Sequence, residues 1–242
     1  MKLLVDIGNT RVKWALWTGK DFQFAGVVAH GDFSAAAWQE LPAADSAWAA
    51  SVASAQLNDR VAGAARERFG LAVRFVRSSA EACGVRSAYA QPERLGVDRF
   101  LALVAAHAQA REPAIVVSCG TALTLDALAA DGMHLGGLIA ASPHLALAAL
   151  RGGTANLGAA AAGRIVEVAD NTADAMESGA WLAAVALIER FVEQAAKRIG
   201  SVPALVLTGG GAARLGELLA IPHRIDAELV LRGLAVMADN DG

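Results

Sequence analysis

The sequence predicts an α/β protein that contains two copies of one strand-rich unit. Short apolar runs bounded by polar turns recur in one order, first from residue 2 and again from residue 114. The segments VDIGNT and VSCGTA, each an apolar run entering a glycine turn, stand at the same place in the two copies. Runs of this length are typical of β-strands, and repetition of the whole plan indicates a duplicated supersecondary unit.

The first copy begins with three strands and continues with helices and strands in alternation. KLLVD, VKWALW and FQFAGVV are separated by the turn-like GNTR and TGKD, which predicts an antiparallel meander. A helical stretch over residues 34–41, the strand SAWAASV, a helix over about residues 58–69 and the strand VRFV follow. Residues 94–110 are helical by composition and carry LGVDR at their start.

The second copy repeats the plan with AIVVS, ALTLDAL and HLGGLIA, followed by a helix that ends near Arg151. A long helix over residues 172–199 comes next, because its apolar residues follow the 4-3-4-3-4 spacing of one buried stripe: Trp181, Val185, Ile188, Val192, Ala195 and Ile199. The strand ALVLT then runs into the turn TGGG and a helix from Ala212. We expect residues 1–112 and 113–242 to form two lobes with a cleft between them, because no Pro/Ser-rich linker separates them.

Composition excludes several classes of protein. The net charge is −3 without a Lys/Arg cluster, so no nucleic-acid partner is expected. The most apolar region, LGGLIAASPHLALAALRGG, is interrupted by Pro143 and His144, so no membrane span is expected. Asp6 and Arg11 break the first apolar run too early for a signal peptide. The chain has two cysteines, which indicates a reducing compartment, and we expect a cytoplasmic protein.

The segment VDIGNT has two possible interpretations. It is an ordinary β-hairpin, or it is a phosphate loop in which backbone N–H groups and the side chains of Asn9 and Thr10 bind phosphate oxygens. In the second case Asp6 holds Mg²⁺, usually through water. The duplicated turn and the third glycine element TGGG (residues 208–211) favour the phosphate loop. The pattern resembles the superfamily of actin, hexokinase and heat-shock chaperone ATPases, and implies two duplicated ribonuclease-H-like lobes around a nucleotide cleft, the actin-like ATPase fold.

Six motifs in order narrow the resemblance. They are DIGNT, a tyrosine nine residues before the Asp of LGVDR, GTALTLD, GGLI, NTADAMESG and TGGG. Together they resemble type III pantothenate kinases, which use ATP with Mg²⁺ to phosphorylate pantothenate in the first step of coenzyme A biosynthesis. The resemblance covers the chain from Asp6 to the C-terminal helix and implies a homodimer.

The resemblance implies roles for particular residues. Asp98 would be the general base, Thr121 would contact ATP, and TGGG would lie near the adenosine. The first phosphate loop would bind ATP through Asp6, Ile7, Gly8, Asn9, Thr10, Arg11, Val12 and Lys13. Pantothenate would be held by Tyr89, Gly96, Val97, Asp98, Arg99 and Thr172, the last reaching in from a neighbouring subunit.

Structural alternatives exist for these residues. Asp98 and Arg99 could form a surface ion pair, and Arg99 could pair with a nearby Glu. Thr172 could be a helix N-cap, a position that also suits an anion such as the pantothenate carboxylate. The side chain of Tyr89 could serve only to pack a loop.

Two departures from the family pattern concern the second phosphate motif and the segment after GGLI. Ser118 stands where the family has an Asp that holds a monovalent cation, K⁺ or NH₄⁺, so this cation site is in doubt. Ala141 and Ser142 replace Pro-Gly, and Pro143 follows them. Neither departure touches Asp6 or Asp98.

Three other functions would leave different features in the sequence. A regulatory protein of the Bvg accessory factor type should have lost the base or Asp6. A kinase of another small hydroxylated metabolite, such as a sugar or acetate, would share the phosphate motifs but not Tyr89 with LGVDR. An ATP-driven chaperone-like switch would need a client-binding domain, for which 242 residues leave no room.

Overall fold

A computed structural model describes residues 1–153 and 163–240 of the chain. These residues group into two compact units. The first consists of Met1–Arg111, Asp131–His134 and the C-terminal segment from Glu228, and the second consists of Glu112–Ala130 and Leu135–Ala227. The predicted division into residues 1–112 and 113–242 differs from this grouping, because the C-terminal segment belongs to the first unit.

The first unit is built on a five-stranded sheet with the order β3-β2-β1-β4-β5. Its strands are β1 Lys2–Ile7, β2 Arg11–Trp17, β3 Phe22–Ala29, β4 Ser46–Ser51 and β5 Val73–Phe75. Strand β1 is antiparallel to β2 and parallel to β4, and β2 is antiparallel to β3. The predicted meander is therefore confirmed. The unit continues with helix α1 Ala55–Phe69, the two-residue strands β6 Glu81–Ala82 and β7 Val85–Arg86, and helix α2 Val97–Gln109.

The second unit repeats this sheet, with the order β10-β9-β8-β11-β12. Its strands are β8 Ala114–Cys119, β9 Ala122–Leu128, β10 His134–Ala141, β11 Ala204–Thr208 and β12 Arg224–Ile225, and its helices are α3 Pro143–Gly153, α4 Thr172–Ile199 and α5 Ala212–Leu218. Strand β8 is antiparallel to β9 and parallel to β11, as β1 is to β2 and β4. The two orders agree strand for strand, which confirms the predicted duplication.

The sheet of the first unit is covered on both faces. Leu3 of β1 packs with Val61 of α1 on one face, and Leu4 packs with Leu101 of α2 on the other. The C-terminal helix α6, Leu229–Asn240, also packs on this second face, through residues such as Leu234. A sheet buried on both faces explains why β1 reads as a continuous apolar run rather than as an alternating pattern.

The predicted stripe of α4 is buried in the core of the second unit. Trp181, Val185, Ile188 and Ala195 belong to one cluster with residues of β8, β9 and β11, and Val192 and Ile199 pack against it. The stripe is therefore covered within its own unit. Among the described residues, no helix combines the length and apolarity that crossing a membrane requires.

The predicted helix over residues 34–41 is the clearest difference from the sequence-based assignment. Only a short 3₁₀ helix, Ala35–Trp38, forms there. The indole of Trp38 is fully buried beside Phe33 and Trp14, so packing of the aromatic side chains decides the conformation of this segment.

Helix α6 meets α2 at a point where backbone touches backbone. A Cβ atom placed on Gly233 would lie 1.9 Å from the carbonyl oxygen of Leu101. Gly233 is therefore required for the close approach of the two helices, which carries α6 into the core of the first unit.

We expect Gly233→Ala to lower the free energy of unfolding by about 1–3 kcal/mol, because the added methyl group forces α6 away from α2. Urea-induced unfolding measures the change. Gly179→Ala is the matched control, because Gly179 is an exposed position of α4 with no atom near the added Cβ. That variant should be neutral or more stable by up to about 1 kcal/mol, since alanine has the higher helix propensity. Equal stability of the two variants would contradict the packing argument.

Candidate functional site

The turn after β1 is held by hydrogen bonds at both of its ends. The Gly8 N–H donates to the Arg11 carbonyl at 3.0 Å, and the His30 N–H donates to the Thr10 carbonyl at 3.1 Å. The His30 Nε2 atom also lies 2.8 Å from the Gly8 carbonyl oxygen. Asn9, Thr10 and Arg11 are exposed at the tip. His30, which no sequence pattern indicated, therefore supports a turn whose polar side chains face outward.

The turn itself does not require glycine at position 8. A Cβ on Gly8 would lie 3.5 Å from the Arg11 carbonyl, an ordinary contact. Its N–H is already bonded within the turn, as is that of Gly120, which donates to the Ala122 carbonyl at 2.9 Å in the second unit. The N–H groups of Gly8 and Gly120 are therefore not available as donors to a phosphate.

Asp6 is partly buried at the end of β1, opposite Lys13 in the antiparallel ladder. Burial raises the pKa of Asp6 to about 6; the charge of Lys13 acts against this rise, and that of Asp98 adds to it. The carboxylates of Asp6 and Asp98 are thus close enough to interact. A carboxylate is a ligand type that a hard divalent cation binds.

The described residues contain no group of three His, Cys, Asp or Glu side chains that could hold a metal ion. Mg²⁺ is commonly bound by one or two carboxylates together with water and substrate phosphates. The Asp6 region fits this mode of binding and does not resemble an all-protein metal cage.

Asp98 lies in the first turn of α2, where the helix dipole favours a negative charge. Its Oδ1 atom accepts a hydrogen bond from the Arg99 N–H at 2.9 Å. A Cβ on Gly96, the N-cap, would lie 2.6 Å from this oxygen. Glycine at position 96 therefore leaves the room that the Asp98 carboxylate occupies.

Arg99 and Tyr89 are brought together from the two segments that the sequence linked. Arg99 is only 6% exposed, so it is not a surface residue. Its Nη1 donates to the Tyr89 hydroxyl at 3.0 Å, and its Cζ atom lies 5.8 Å from the centroid of the tyrosine ring. Tyr89 also stacks on His134. A buried cation and a phenol hydroxyl are thus joined one residue from Asp98.

In the second unit, the turn after β8 is tied to the start of α3. The Ser142 hydroxyl donates to the Thr121 carbonyl at 2.9 Å and accepts from the Leu145 N–H at 3.2 Å. Ser142 is fully buried, and Pro143 is the first residue of α3. The departure Ala141-Ser142 therefore has a structural role, because Ser142 caps the helix and fixes the exposed Thr121 turn.

The TGGG turn lies against the second phosphate motif. The Gly211 N–H donates to the Cys119 carbonyl at 2.9 Å. A Cβ on Gly211 would lie 2.4 Å from the Cys119 Sγ, and one on Gly209, whose φ is +88°, would lie 2.6 Å from the Cys119 carbonyl oxygen. Both glycines are needed for this approach.

The NTADAMESG motif fastens the preceding segment to the start of α4. The N-cap is Asn171, whose side chain accepts from the Asp174 N–H at 3.0 Å, so the N-cap alternative for Thr172 is wrong. Asp174 accepts from the backbone N–H of Arg164 at 2.7 Å and from its guanidinium at 3.0 Å. These bonds and one from Asn171 hold the pKa of Asp174 below its ordinary value. Thr172 is the exposed first residue of the helix.

The candidate residues divide between the two units. In the first unit the charge of Asp98 acts on Asp6, and Tyr89 contacts Arg99. The same unit contains residues 7–13, Gly96 and Val97. The second contains Ser118, Thr121 and Thr172. The sequence did not indicate His30 or His134, whose partners are distant in the chain, and it indicated Ser142 only as a departure from the family pattern.

Comparisons with known proteins show similarity to one family of enzymes. A family model described as type III pantothenate kinase matches residues 2–194. A type III pantothenate kinase of Xanthomonas oryzae is 46% identical over 237 residues, which cover 97% of this chain and 96% of that protein. Another, from Chromobacterium violaceum, is 41% identical over 251 residues, covering 99% and 100%.

Two solved structures show the same fold at low identity. One is a protein from Campylobacter jejuni assigned to the Baf family of transcriptional activators, with a TM-score of 0.64, 18% identity and coverage of 99% and 98% of the two chains. The other is assigned as a 2-dehydro-3-deoxygalactonokinase from Sinorhizobium meliloti, with a TM-score of 0.64, 16% identity and coverage of 100% and 99%. The predicted fold of two ribonuclease-H-like lobes is therefore confirmed.

In the metal-free protein, we expect Asp6→Asn to raise the free energy of unfolding near neutral pH, with a gain that shrinks toward pH 4. The folded-state pKa of Asp6 is about 6 against an ordinary value of 3.8, so the folded protein holds a proton in this window that the unfolded chain has lost. Stability linked to Asp6 is therefore lost as the pH rises through the window, whereas an amide does not ionise.

Urea unfolding in the presence of a chelator, repeated across this pH range, measures the difference. Asp59→Asn at an exposed position of α1 is the control. A stability difference for Asp6→Asn that does not change with pH would show that ionisation of Asp6 does not cause it.

Proposed function

The chain belongs to the type III pantothenate kinase family and phosphorylates pantothenate with ATP, and we propose that Asp98 is the general base of this reaction. The observation that carries the proposal is the position of Asp98. It lies in the first turn of α2, its charge acts on Asp6, and the residue that follows it binds Tyr89. The residues proposed as the base, as the metal-binding carboxylate and as two substrate-binding groups all belong to the first unit.

Asp98 would accept the proton of the pantothenate hydroxyl as its oxygen attacks the terminal phosphorus of ATP. General-base catalysis of this kind is typically worth about 10²–10⁴-fold in rate. The bond from the Arg99 N–H to Oδ1, together with the space left by Gly96, fixes the direction of the carboxylate. A base held in one direction removes part of the entropic cost of the reaction.

Asp6 would hold Mg²⁺ through water, and the ion would neutralise charge on the phosphates. The turn from Asp6 to Lys13 would bind the terminal phosphates with the groups exposed at its tip, and Thr121 would contact ATP. The anchoring of both turns, by His30 in the first unit and by Ser142 in the second, supports these assignments. Preorganised donors are the main contribution that a protein makes to phosphoryl transfer.

Pantothenate carries a carboxylate, and two features could bind it. Arg99 with Tyr89 offers a guanidinium and a phenol hydroxyl in the first unit. Thr172 stands exposed at the N-terminus of the 28-residue helix α4 in the second. We assign pantothenate contacts to Tyr89, Arg99 and the backbone of residues 96–98 of one subunit, and to Thr172 of a neighbouring subunit.

A monovalent cation, K⁺ or NH₄⁺, would bind near Ser118. In the sheet, Ser118 is paired directly with Thr124 on one side and with Thr208 on the other. Directly paired residues point to the same face of a sheet, so three neutral hydroxyl oxygens lie in one row. Neutral oxygens can coordinate an alkali ion, but they attract it less than a carboxylate would.

We propose a homodimer whose interface is formed by strand β10 and helix α3. The apolar stripe of α4 is covered within its own unit and leaves no surface to bury. Strand β10 and helix α3 instead expose large apolar side chains: Leu138 at 42%, Ile139 at 66%, Leu145 at 44% and Leu150 at 41%. A second copy of the chain would cover these residues. We place the enzyme in the cytoplasm, since both cysteines are free thiols.

Asp98→Asn should lower kcat for pantothenate phosphorylation by at least about 10²-fold, because an amide cannot accept the proton. Coupled release of ADP measures the rate. ATP affinity and the unfolding midpoint should stay close to those of the wild type, which separates loss of the base from loss of the fold. Retention of more than about a tenth of the wild-type kcat would exclude Asp98 as the base.

Ser118→Asp should lower the K⁺ concentration that gives half-maximal activity by about tenfold, because a carboxylate adds a charge where three hydroxyls now lie. Ser118→Asn is the matched control, since it adds a longer polar side chain without charge. The assignment fails if the two variants show the same K⁺ dependence, or if wild-type activity is already saturated at trace K⁺.

Ile139→Asp should convert the dimer to a monomer, because an ionised side chain would be buried at the centre of the proposed interface. Light scattering at several protein concentrations measures the molar mass. Val202→Asp is the control, because Val202 is 86% exposed and lies outside β10 and α3. A wild type that is a fully active monomer would rule out the homodimer.

A further inference from the structure

We infer that His134 is a positioning residue, which holds the ring of Tyr89, and through it the guanidinium of Arg99, in place for pantothenate. The inference rests on the proposed function, since it concerns the residues that would bind the substrate. His134 belongs to none of the motifs that led to the family, and it was one of five scattered histidines in the sequence.

The segment that carries Tyr89 is docked on the turn that ends at His134. The Arg86 N–H donates to the Gly132 carbonyl at 2.9 Å, and the Arg86 guanidinium pairs with the Asp131 carboxylate at 2.6 Å. The turn at residues 131–134 also packs against the β6–β7 hairpin. A Cβ on Gly132 would lie 1.9 Å from the Gly84 carbonyl oxygen. Residues 86–89 and 131–134 therefore form one tightly connected structure.

The contact with His134 fixes the tyrosine ring itself. The rings of His134 and Tyr89 are stacked, with centroids 6.0 Å apart and an angle of 23° between their planes. The Ala88 N–H also points to the His134 Nδ1 atom at a long distance of 3.5 Å. His134 is fully buried, so the surface it offers to Tyr89 is a fixed one.

The Tyr89 ring transmits this position to Arg99. The Tyr89 hydroxyl accepts from Arg99 Nη1 at 3.0 Å, and the guanidinium carbon lies 5.8 Å from the ring centroid. Movement of the Tyr89 side chain about its χ1 angle, away from His134, would break the first contact and change the second. Stacking on the flat imidazole therefore favours the side-chain position in which the hydroxyl meets Arg99.

A purely structural role for His134 makes a different prediction from a positioning role. If His134 only fills space, a side chain of similar volume should replace it, whether it is flat or not. If it orients Tyr89, a flat aromatic ring should be required. His134→Leu and His134→Phe separate these cases, because both fill the site and only phenylalanine can stack.

We expect His134→Leu to raise KM for pantothenate by about three- to tenfold, the range that one aromatic pair is worth, with KM for ATP unchanged. His134→Phe should restore KM for pantothenate to within about twofold of the wild type. In a double-mutant cycle, Tyr89→Ala should raise KM strongly alone, and His134→Leu should add nothing to it.

Several outcomes would overturn the inference. Equal KM values for the Leu and Phe variants would show that the ring plane is irrelevant, and a parallel rise in KM for ATP would show a general loss of structure. Additivity of His134→Leu and Tyr89→Ala would show that the two act independently. If the wild type does not phosphorylate pantothenate at all, the proposed function fails, whereas an active wild type with equal variants rejects only the role of His134.

Discussion

Burial of helix α2 on almost every side is the constraint on which the candidate site of the first unit depends. From Arg99 to His107 every side chain of the helix is buried, and the helix packs against both the sheet and α6. The approach of α6 at Gly233 closes this packing without an intervening side chain. A helix held in this way cannot rotate or slide, so the partly exposed Asp98 in its first turn points in one direction.

The two copies of the duplicated unit have different side chains before one turn. In both, a glycine N–H is bonded within the turn that follows the first strand of the unit, through Gly8 and through Gly120. Two residues before these glycines, the first unit has the carboxylate of Asp6 and the second has the hydroxyl of Ser118. The negative charge is thus concentrated in the first unit, beside Asp98, and the second unit offers neutral oxygens.

Sequence patterns predicted the strands, the duplication and the long helix α4, because each is a periodic feature that extends over many residues. The link between Tyr89 and the LGVDR segment came from the resemblance to the family and not from periodicity. The patterns failed for residues 34–41, where burial of Trp38 overrides helix propensity. They could not indicate the roles of His30, His134 or Ser142, since each acts through one or two contacts with residues distant in sequence. Periodicity also does not reveal which sheet a terminal helix will cover. The sequence patterns therefore do not indicate that α6 returns to the first unit.

That return has a consequence for biosynthesis. During translation, the second unit has left the ribosome when residue 227 emerges, although it begins at residue 112. The first unit begins at residue 1 but must wait for α6, and until then the apolar side of α2 that Leu234 and Gly233 cover stays open to solvent. The N-terminal half of the nascent chain is therefore the last to complete its core. Until α6 docks, the helix that carries Asp98 lacks this part of its cover.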